Sequence, residues 1–224
     1  MPQIPVFHDL NFMYHPEWMP GREAKYYRSR FPEFARQATR ILTVSDYSRH
    51  DIASQFQVSL EKIEVVFNAP SSEYQPVEHL EQVQSQRDLL AKGNPYFIFV
   101  GSLHPRKNIP GLLAAFETYR SIGGVNDLVI VGESMWSDEM RNQHGVHFLG
   151  RMERKELATS VAASEGLVFI PWFEGFGVPI VEAFASGVPV IASNRTSMPE
   201  VCGGAAAALL EPDDHDGIAK CMKK

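Results

Sequence analysis

The 224-residue sequence is poor in cysteine, with only Cys202 and Cys221. Their spacing forms no paired-Cys or Cys/His ligand pattern, which excludes a disulfide framework and leaves free thiols in a reducing, cytoplasmic compartment as the expectation. Long apolar runs are also lacking. None approaches the roughly 18 residues of a spanning helix, and the opening Met1-Pro2-Gln3-Ile4-Pro5 has neither the charged stretch nor the apolar core of an export signal. Positive charge is not in surplus: 21 Lys and Arg stand against 27 Asp and Glu, a net charge of −6, which argues against a nucleic-acid partner. There is no tandem repeat and no low-complexity tract.

What is present fits a folded chain, since 44% hydrophobic and 21% charged residues can bury a sizeable core. Strand-like runs occur at Ile4–Phe7, Ile41–Val44, Ile63–Phe67, Tyr96–Val100, Leu128–Val131, Val146–Phe148, Leu167–Ile170 and Val188–Ala192. Helical patterns fall at Arg22–Thr39 (interrupted by Pro32), Tyr47–Phe56, Leu80–Ala91, Pro110–Ser121, Ser137–Gln143, Lys155–Ala163 and Pro179–Ala185. This alternation predicts a doubly wound α/β fold, with Rossmann-like parallel sheets covered by helices on both faces. A polar stretch with two prolines, Asn68–Val77, marks a seam between residues 1–70 and 71–224. Residues 1–70 carry eight basic and eight acidic side chains, so the negative balance lies wholly beyond the seam. Three strands ahead of the seam are too few for a sheet of typical size, so the first domain is expected to be incomplete and to self-associate through its uncovered parts. At the other end, Ile218–Lys224 reads as the opening of a longer helix.

Two stretches carry chemistry. In Pro171-Trp-Phe-Glu174-Gly175-Phe176-Gly177-Val178-Pro179-Ile-Val-Glu182 a buried strand gives way to a glycine turn and then a helix, with Pro179 placed where the first turn tolerates a missing N–H. Free N–H groups of Phe176, Gly177 and Val178 at that helix start suit a phosphate, and Glu182, about one turn further on, can reach sugar hydroxyls. Other phosphate loops fit worse: Ile180 stands where a dinucleotide fingerprint needs its third glycine, and no Gly-Lys-Ser/Thr loop occurs. A glycosidase carboxylate pair is the competing use of Glu174 and Glu182.

The second stretch, Phe99-Val-Gly101-Ser102-Leu-His104-Pro-Arg106-Lys107-Asn108, again runs from a strand into a helix, with Asn108 as the expected N-cap. Arg106 and Lys107 then sit where a helix dipole is already positive, an unfavourable place for cations unless an anion joins them. A diphosphate satisfies that requirement.

These residues resemble the retaining glycosyltransferases of family four (group 1), whose fold, GT-B, pairs two Rossmann-like domains. The likeness rests on Glu174 and Glu182 in Glu-Gly-Phe-Gly-Val-Pro-Ile-Val-Glu, on the following Ala183-Phe-Ala-Ser-Gly187-Val-Pro189, on Gly101–Asn108, on His8-Asp9-Leu10 and on Thr43-Val-Ser45-Asp-Tyr-Ser48. The branch it resembles builds bacterial surface polysaccharides and is often called mannosyltransferase. The resemblance implies transfer of a hexose, with retention and without a metal, from a GDP- or UDP-linked donor to a glycan or lipid-linked acceptor. It implies that Arg106 and Lys107 neutralise the donor diphosphate, that Glu182 holds ribose hydroxyls, and that Phe176–Val178 give N–H contacts. Glu174 would hold hydroxyls of the transferred sugar, His8 would contact that sugar, and Arg151 and Met152 would lie by the base. Where many relatives carry an arginine after Gly101 this chain has Ser102, leaving Arg106 as the substitute. The alternative is a sugar-nucleotide-binding module without activity of its own; a sugar-nucleotide epimerase or phosphorylase sharing the fold ranks below both.

Other features read as structure. His15, His144, His147 and His215 share no ligand spacing, Asn194-Arg195-Thr196 is a glycosylation sequon without an export signal, and Ser45 and Ser48 start a helix. The stretch 22–40, with six basic side chains interleaved with Tyr26, Tyr27, Phe31 and Phe34, reads as a partly buried helix, with peripheral contact at the inner face of a membrane as the alternative.

Overall fold

A computed structural model describes residues 3–133 and 143–224. By contact the chain divides into two compact units: Met1–Asn68 with Phe173–Gly177 and Arg195–Val201, and Ala69–Trp172 with Val178–Asn194 and Cys202–Lys224.

The first unit holds α1 (Asn11–Tyr14), α2 (Gly21–Gln37), β1 (Ile41–Thr43), α3 (Asp46–Phe56) and β2 (Ile63–Val65). β1 and β2 pair in parallel. The expected strand at Ile4–Phe7 contributes a single bridge, Val6 to Leu42, because Pro5 has no N–H and joins only through its carbonyl, which accepts from Leu42 N at 3.0 Å. The core is Phe7, Leu10, Phe12, Ala35, Ile41, Ile52 and Phe56, against which Tyr27, Phe31 and Phe34 of α2 pack. That packing carries α2 unbroken through Pro32, where the sequence suggests an interruption. Ser45 caps α3, its Oγ accepting from Ser48 N at 3.1 Å. Glu200 approaches the same helix end, its two carboxylate oxygens accepting from the N–H groups of Asp46 and Tyr47 at 2.8 and 3.0 Å.

The second unit comprises α4 (Leu80–Ala91), β3 (Tyr96–Val100), α5 (Ile109–Ser121), β4 (Asp127–Val131), β5 (Val146–Gly150), α6 (Arg154–Ala162), β6 (Gly166–Phe169), α7 (Val178–Ala185), β7 (Val190–Ser193), α8 (Met198–Cys202, begun in the first unit), β8 (Ala208–Leu210) and α9 (His215–Met222). The expected helix at Ser137–Gln143 lies, but for Gln143, outside the described residues. All six strands run parallel in the order β5-β4-β3-β6-β7-β8. Strands β3, β4, β6 and β7 are buried throughout, as continuous apolar runs demand of a sheet covered on both faces. The chain winds outward in one direction from β3 and in the other from β6, so the order reverses between these two strands, and a doubly wound sheet binds ligands beyond the carboxyl ends at such a reversal.

Candidate functional site

The two chemistry-bearing stretches leave the sheet from β3 and β6, the strands that flank the reversal. Beyond β3 the backbone enters Gly101 at φ +149°, and Gly132, beyond β4, approaches so closely that a Cβ there would lie 1.8 Å from the Gly101 carbonyl oxygen. Only glycine fits at 132, where φ is +153°. Pro105–Lys107 form one 3₁₀ turn, capped by His104 Nδ1, which accepts from Arg106 N at 3.3 Å. Asn108 stands at the start of α5 in the left-handed region, φ +57°, and its side chain does not cap the helix as expected. Its amide nitrogen instead donates to the carbonyls of Ile170 at 3.2 Å and Pro212 at 2.9 Å. The buried carbonyls beyond β6 and before α9 need a donor, and a side chain serving them is unavailable to the helix. Trp172 N donates to the Arg106 carbonyl at 2.8 Å, so the loops after β3 and β6 are joined by backbone and side chain.

Lys107 is buried with its ammonium 4.7 Å from the centroid of the Phe169 ring, a cation–π contact at the last residue of β6. Arg106 is half-buried and Ser102 exposed. Glu182, on α7, is half-buried; burial raises its carboxyl above the usual range, while a hydrogen bond from the Tyr74 hydroxyl and the nearby Arg154 charge pull it down. Arg151 is exposed and Met152 half-buried, with its sulfur 3.8 Å from Ser160 Oγ. Both follow β5, an edge strand separated from β3 by β4, so they share the sheet's carboxyl end without joining the central loops. At the opposite, amino ends of β3, β6 and β7 lies a cavity of about 610 Å³ lined by Phe97, Tyr119, Gly166, Ile191 and Cys221; none of the predicted site residues reaches it.

In the first unit, His8 is exposed directly after buried Phe7. Gly175 packs on it: a Cβ at 175 would stand 2.1 Å from the His8 carbonyl oxygen. Ser48 Oγ donates to that carbonyl at 3.2 Å and lies 3.5 Å from the Gly175 carbonyl. Glu174 is buried; its N–H donates to Thr196 Oγ1 at 3.2 Å and its carbonyl accepts from Ser197 Oγ at 2.9 Å. The sequon threonine thus holds a loop. Phe176 is buried with its ring 6.3 Å from that of Phe67, and Gly177, φ +93°, turns the chain into Val178 and α7. The structure therefore brings His8 to Gly175, and Arg106, Lys107 and Asn108 to the residues after β6. Sequence reasoning missed Ser197, and it read Ser48 as a helix start and Thr196 as part of a sequon; their roles here rest on contacts between distant residues that no local pattern marks.

The remaining histidines behave as structural side chains where they are bonded: His15 stacks on Trp18, and His147 Nε2 lies 2.8 Å from Asp127 Oδ2. Among the described residues no group of three or more His, Cys, Asp or Glu could hold a metal ion, and no helix is long and apolar enough to cross a membrane.

Residues 81–224 match the family described as glycosyl transferases group 1. The chain is 32% identical over 225 residues to the O-antigen chain mannosyltransferase B of Escherichia coli, covering 96% of this chain and 59% of the relative. It is 26% identical over 228 residues to the O-antigen chain mannosyltransferase RfbU of Salmonella typhimurium, covering 99% and 60%. The chain thus spans about three fifths of the length of these relatives. The crystal structure of Anabaena HepE in complex with UDP and glucose superposes with a TM-score of 0.77 at 19% identity, covering all of this chain and 62% of that one, which shows the fold. The parallel sheets, the GT-B fold and the family match agree: the chain belongs to the group 1 glycosyltransferases.

Proposed function

We propose that the protein transfers a hexose, mannose, from a nucleotide diphosphate donor to a glycan or lipid-linked acceptor, with retention and without a metal. The observation that carries this reading is the junction of the Arg106–Asn108 and Ile170–Trp172 segments at the reversal of the sheet, with Lys107 held between β3 and β6. The bond that breaks joins C1 of the sugar to the diphosphate. The departing oxygen keeps the electron pair, so charge grows on the diphosphate, where Arg106, Lys107 and the N–H groups of Phe176–Val178 would meet it. Glu182 would accept from ribose hydroxyls. In the first unit, Glu174 would hold hydroxyls of the transferred sugar and His8 would contact it near the reacting carbon. Arg151 and Met152 would border the base. Mannose is favoured because the O-antigen relatives are named mannosyltransferases.

Residues 1–70 we assign to the acceptor side and 71–224 to the nucleotide sugar. A binding module without turnover is the second reading, favoured by the concentration of diphosphate and ribose residues in a unit with six paired strands. Association with the cytoplasmic face of a membrane would use the exposed Arg22, Lys25, Arg28, Arg30 and Arg36 of α2, since Tyr27, Phe31 and Phe34 are committed to the core. Self-association would use residues 1–70.

Calorimetry of the full chain against GDP-mannose, UDP-glucose and other sugar nucleotides, with and without EDTA, tests the proposal. The GDP-linked sugar should bind equally well in EDTA and more weakly at high salt. Failure of every sugar nucleotide to bind overturns it, and binding that needs magnesium or manganese overturns its electrostatics.

A further inference from the structure

Tyr47, Asp51 and Gln55 recur at every fourth position of α3, so they share one face of the helix, beside the buried face of Ser48, Ile52 and Phe56. Tyr14, the last residue of α1, meets that face: its hydroxyl donates to Asp51 Oδ1 and accepts from Gln55 Nε2 at 2.9 Å. Burial and Asp51 push the Tyr14 phenol up to about 12, so it stays a donor. Phe173 packs against both tyrosines, its ring 5.6 Å from that of Tyr14 and 6.1 Å from that of Tyr47. Phe173 is 5% exposed, whereas Tyr14 is 44% exposed and Tyr47 half-buried, so the tyrosines keep accessible surface around a covered ring. The Tyr47 hydroxyl makes no hydrogen bond among the described residues.

These side chains belong to the first unit and border the residues assigned above to the transferred sugar. Phe173 directly precedes Glu174. Gly175 packs on the His8 carbonyl, and a Cβ there would also stand 3.0 Å from Asp9 Cβ. Ser48, next to Tyr47, donates to that same carbonyl. A hexopyranose has an apolar C–H face and a rim of hydroxyls. Tyrosine rings with polar tips suit the face, and a carboxylate suits the rim, since it offers about four lone-pair sites of which the Tyr14 phenol takes one. The negative charge of Asp9 and Asp51 disfavours a phosphate at the same place.

We propose that Tyr14, Tyr47, Asp51 and Gln55 form the subsite for the acceptor's terminal sugar: a neutral hexopyranose lies on the tyrosines, with its hydroxyls on Asp51 and Gln55, beside the transferred sugar. The inference rests on the transferase reading above and deepens it. What the acceptor presents to the donor is then the end of a glycan and not a lipid phosphate.

Saturation-transfer NMR on the full chain tests this, with GDP-2-deoxy-2-fluoromannose filling the donor site because its fluorine slows bond breaking. The probes are the methyl α-glycosides of mannose, glucose, galactose and N-acetylglucosamine, with geranyl diphosphate as the rival. At least one glycoside should bind the wild type. Asp51→Asn should weaken that binding about fivefold, Tyr47→Phe about threefold and Tyr14→Leu about tenfold, while affinity for the donor analogue stays within about twofold. Geranyl diphosphate should respond to none of the three. Asp51→Asn and Tyr47→Phe should melt close to the wild-type temperature, so their losses are not losses of fold. If the wild type binds no donor analogue, the transferase reading fails and the acceptor role with it. If the donor analogue binds while no glycoside binds, or a glycoside binds all three variants as it binds wild type, the transferase reading stands and the subsite alone is overturned. Weakened geranyl diphosphate binding in place of weakened glycoside binding overturns it equally.

Discussion

The two units place their chemistry by different means. In the second unit, Arg106, Lys107 and Glu182 ride on loops and a helix set by a six-stranded sheet whose central strands are wholly buried. In the first unit, among the described residues, only β1 and β2 form a ladder, and His8 and Glu174 sit on irregular backbone held by Ser48, Thr196, Ser197 and the close approach of Gly175. A sheet resists local change because its strands open together, while a loop pinned by single hydrogen bonds yields locally. Substitutions in the second unit should therefore act on stability and nucleotide affinity together. Those at His8, Glu174 and Gly175 in the first should act on the sugar end and leave the nucleotide in place.

The largest expected effect is that of Gly132→Ala, which forces a Cβ onto the Gly101 carbonyl at a backbone angle other residues avoid. It should destabilise the protein by about 3 kcal/mol or more and abolish nucleotide binding, as read by thermal melts and calorimetry. Asn108→Ala should follow at about 2–4 kcal/mol, since two buried carbonyls lose their donor and a left-handed residue loses a tolerant side chain. Gly175→Ala is the counterpart in the first unit. Its Cβ meets the His8 carbonyl, so donor-sugar discrimination should disappear while affinity for the bare nucleoside diphosphate stays within about twofold. Equal losses of nucleotide affinity in Gly132→Ala and Gly175→Ala would erase the contrast between the units.

Lys107→Ala and Glu182→Ala should each weaken nucleotide-sugar binding by about 1.5–3 kcal/mol, through a lost phosphate contact and a lost hydroxyl partner. Glu182 also sets a pH dependence. Its folded-state carboxyl is raised by burial, so its favourable contribution to stability is present at low pH and is lost as pH rises through the raised value. Ligand binding runs the opposite way, needing the carboxylate and failing as pH falls. Glu182→Gln should therefore hold or raise the melting temperature at neutral pH while losing affinity, and a fall in both would contradict the assignment. At the small end, Arg30→Ala removes only an exposed pair with Glu33 and should change stability by less than about 0.5 kcal/mol.

The same contrast governs what the sequence reveals. Strands β3, β4, β6 and β7 are legible because a strand buried on both faces must be a continuous apolar run. β8 is not, since Ala205-Ala-Ala-Ala-Leu-Leu210 has no β-branched residue and becomes a strand only by pairing with β7. Glu182, Arg106 and Lys107 are legible from strand-to-helix transitions, which place them beyond β6 and β3 of the parallel sheet. The diversion of Asn108 from capping to the Ile170 and Pro212 carbonyls is invisible locally, as is the reach of Ser48 Oγ to the His8 carbonyl. Both are decided by what packing leaves unpaired. Pro32 shows the reverse case, a strong local signal overruled by the aromatic face of α2.

Hydrogen exchange of the full chain with and without saturating GDP-mannose tests the central claim most directly, because the two ends of the second unit's sheet offer rival locations. The account predicts slower exchange at 101–108 and 178–182, which follow β3 and β6, with no change at 119–126. Protection confined to 119–126 and the cavity lined by Phe97, Gly166 and Cys221 at the amino ends would contradict it.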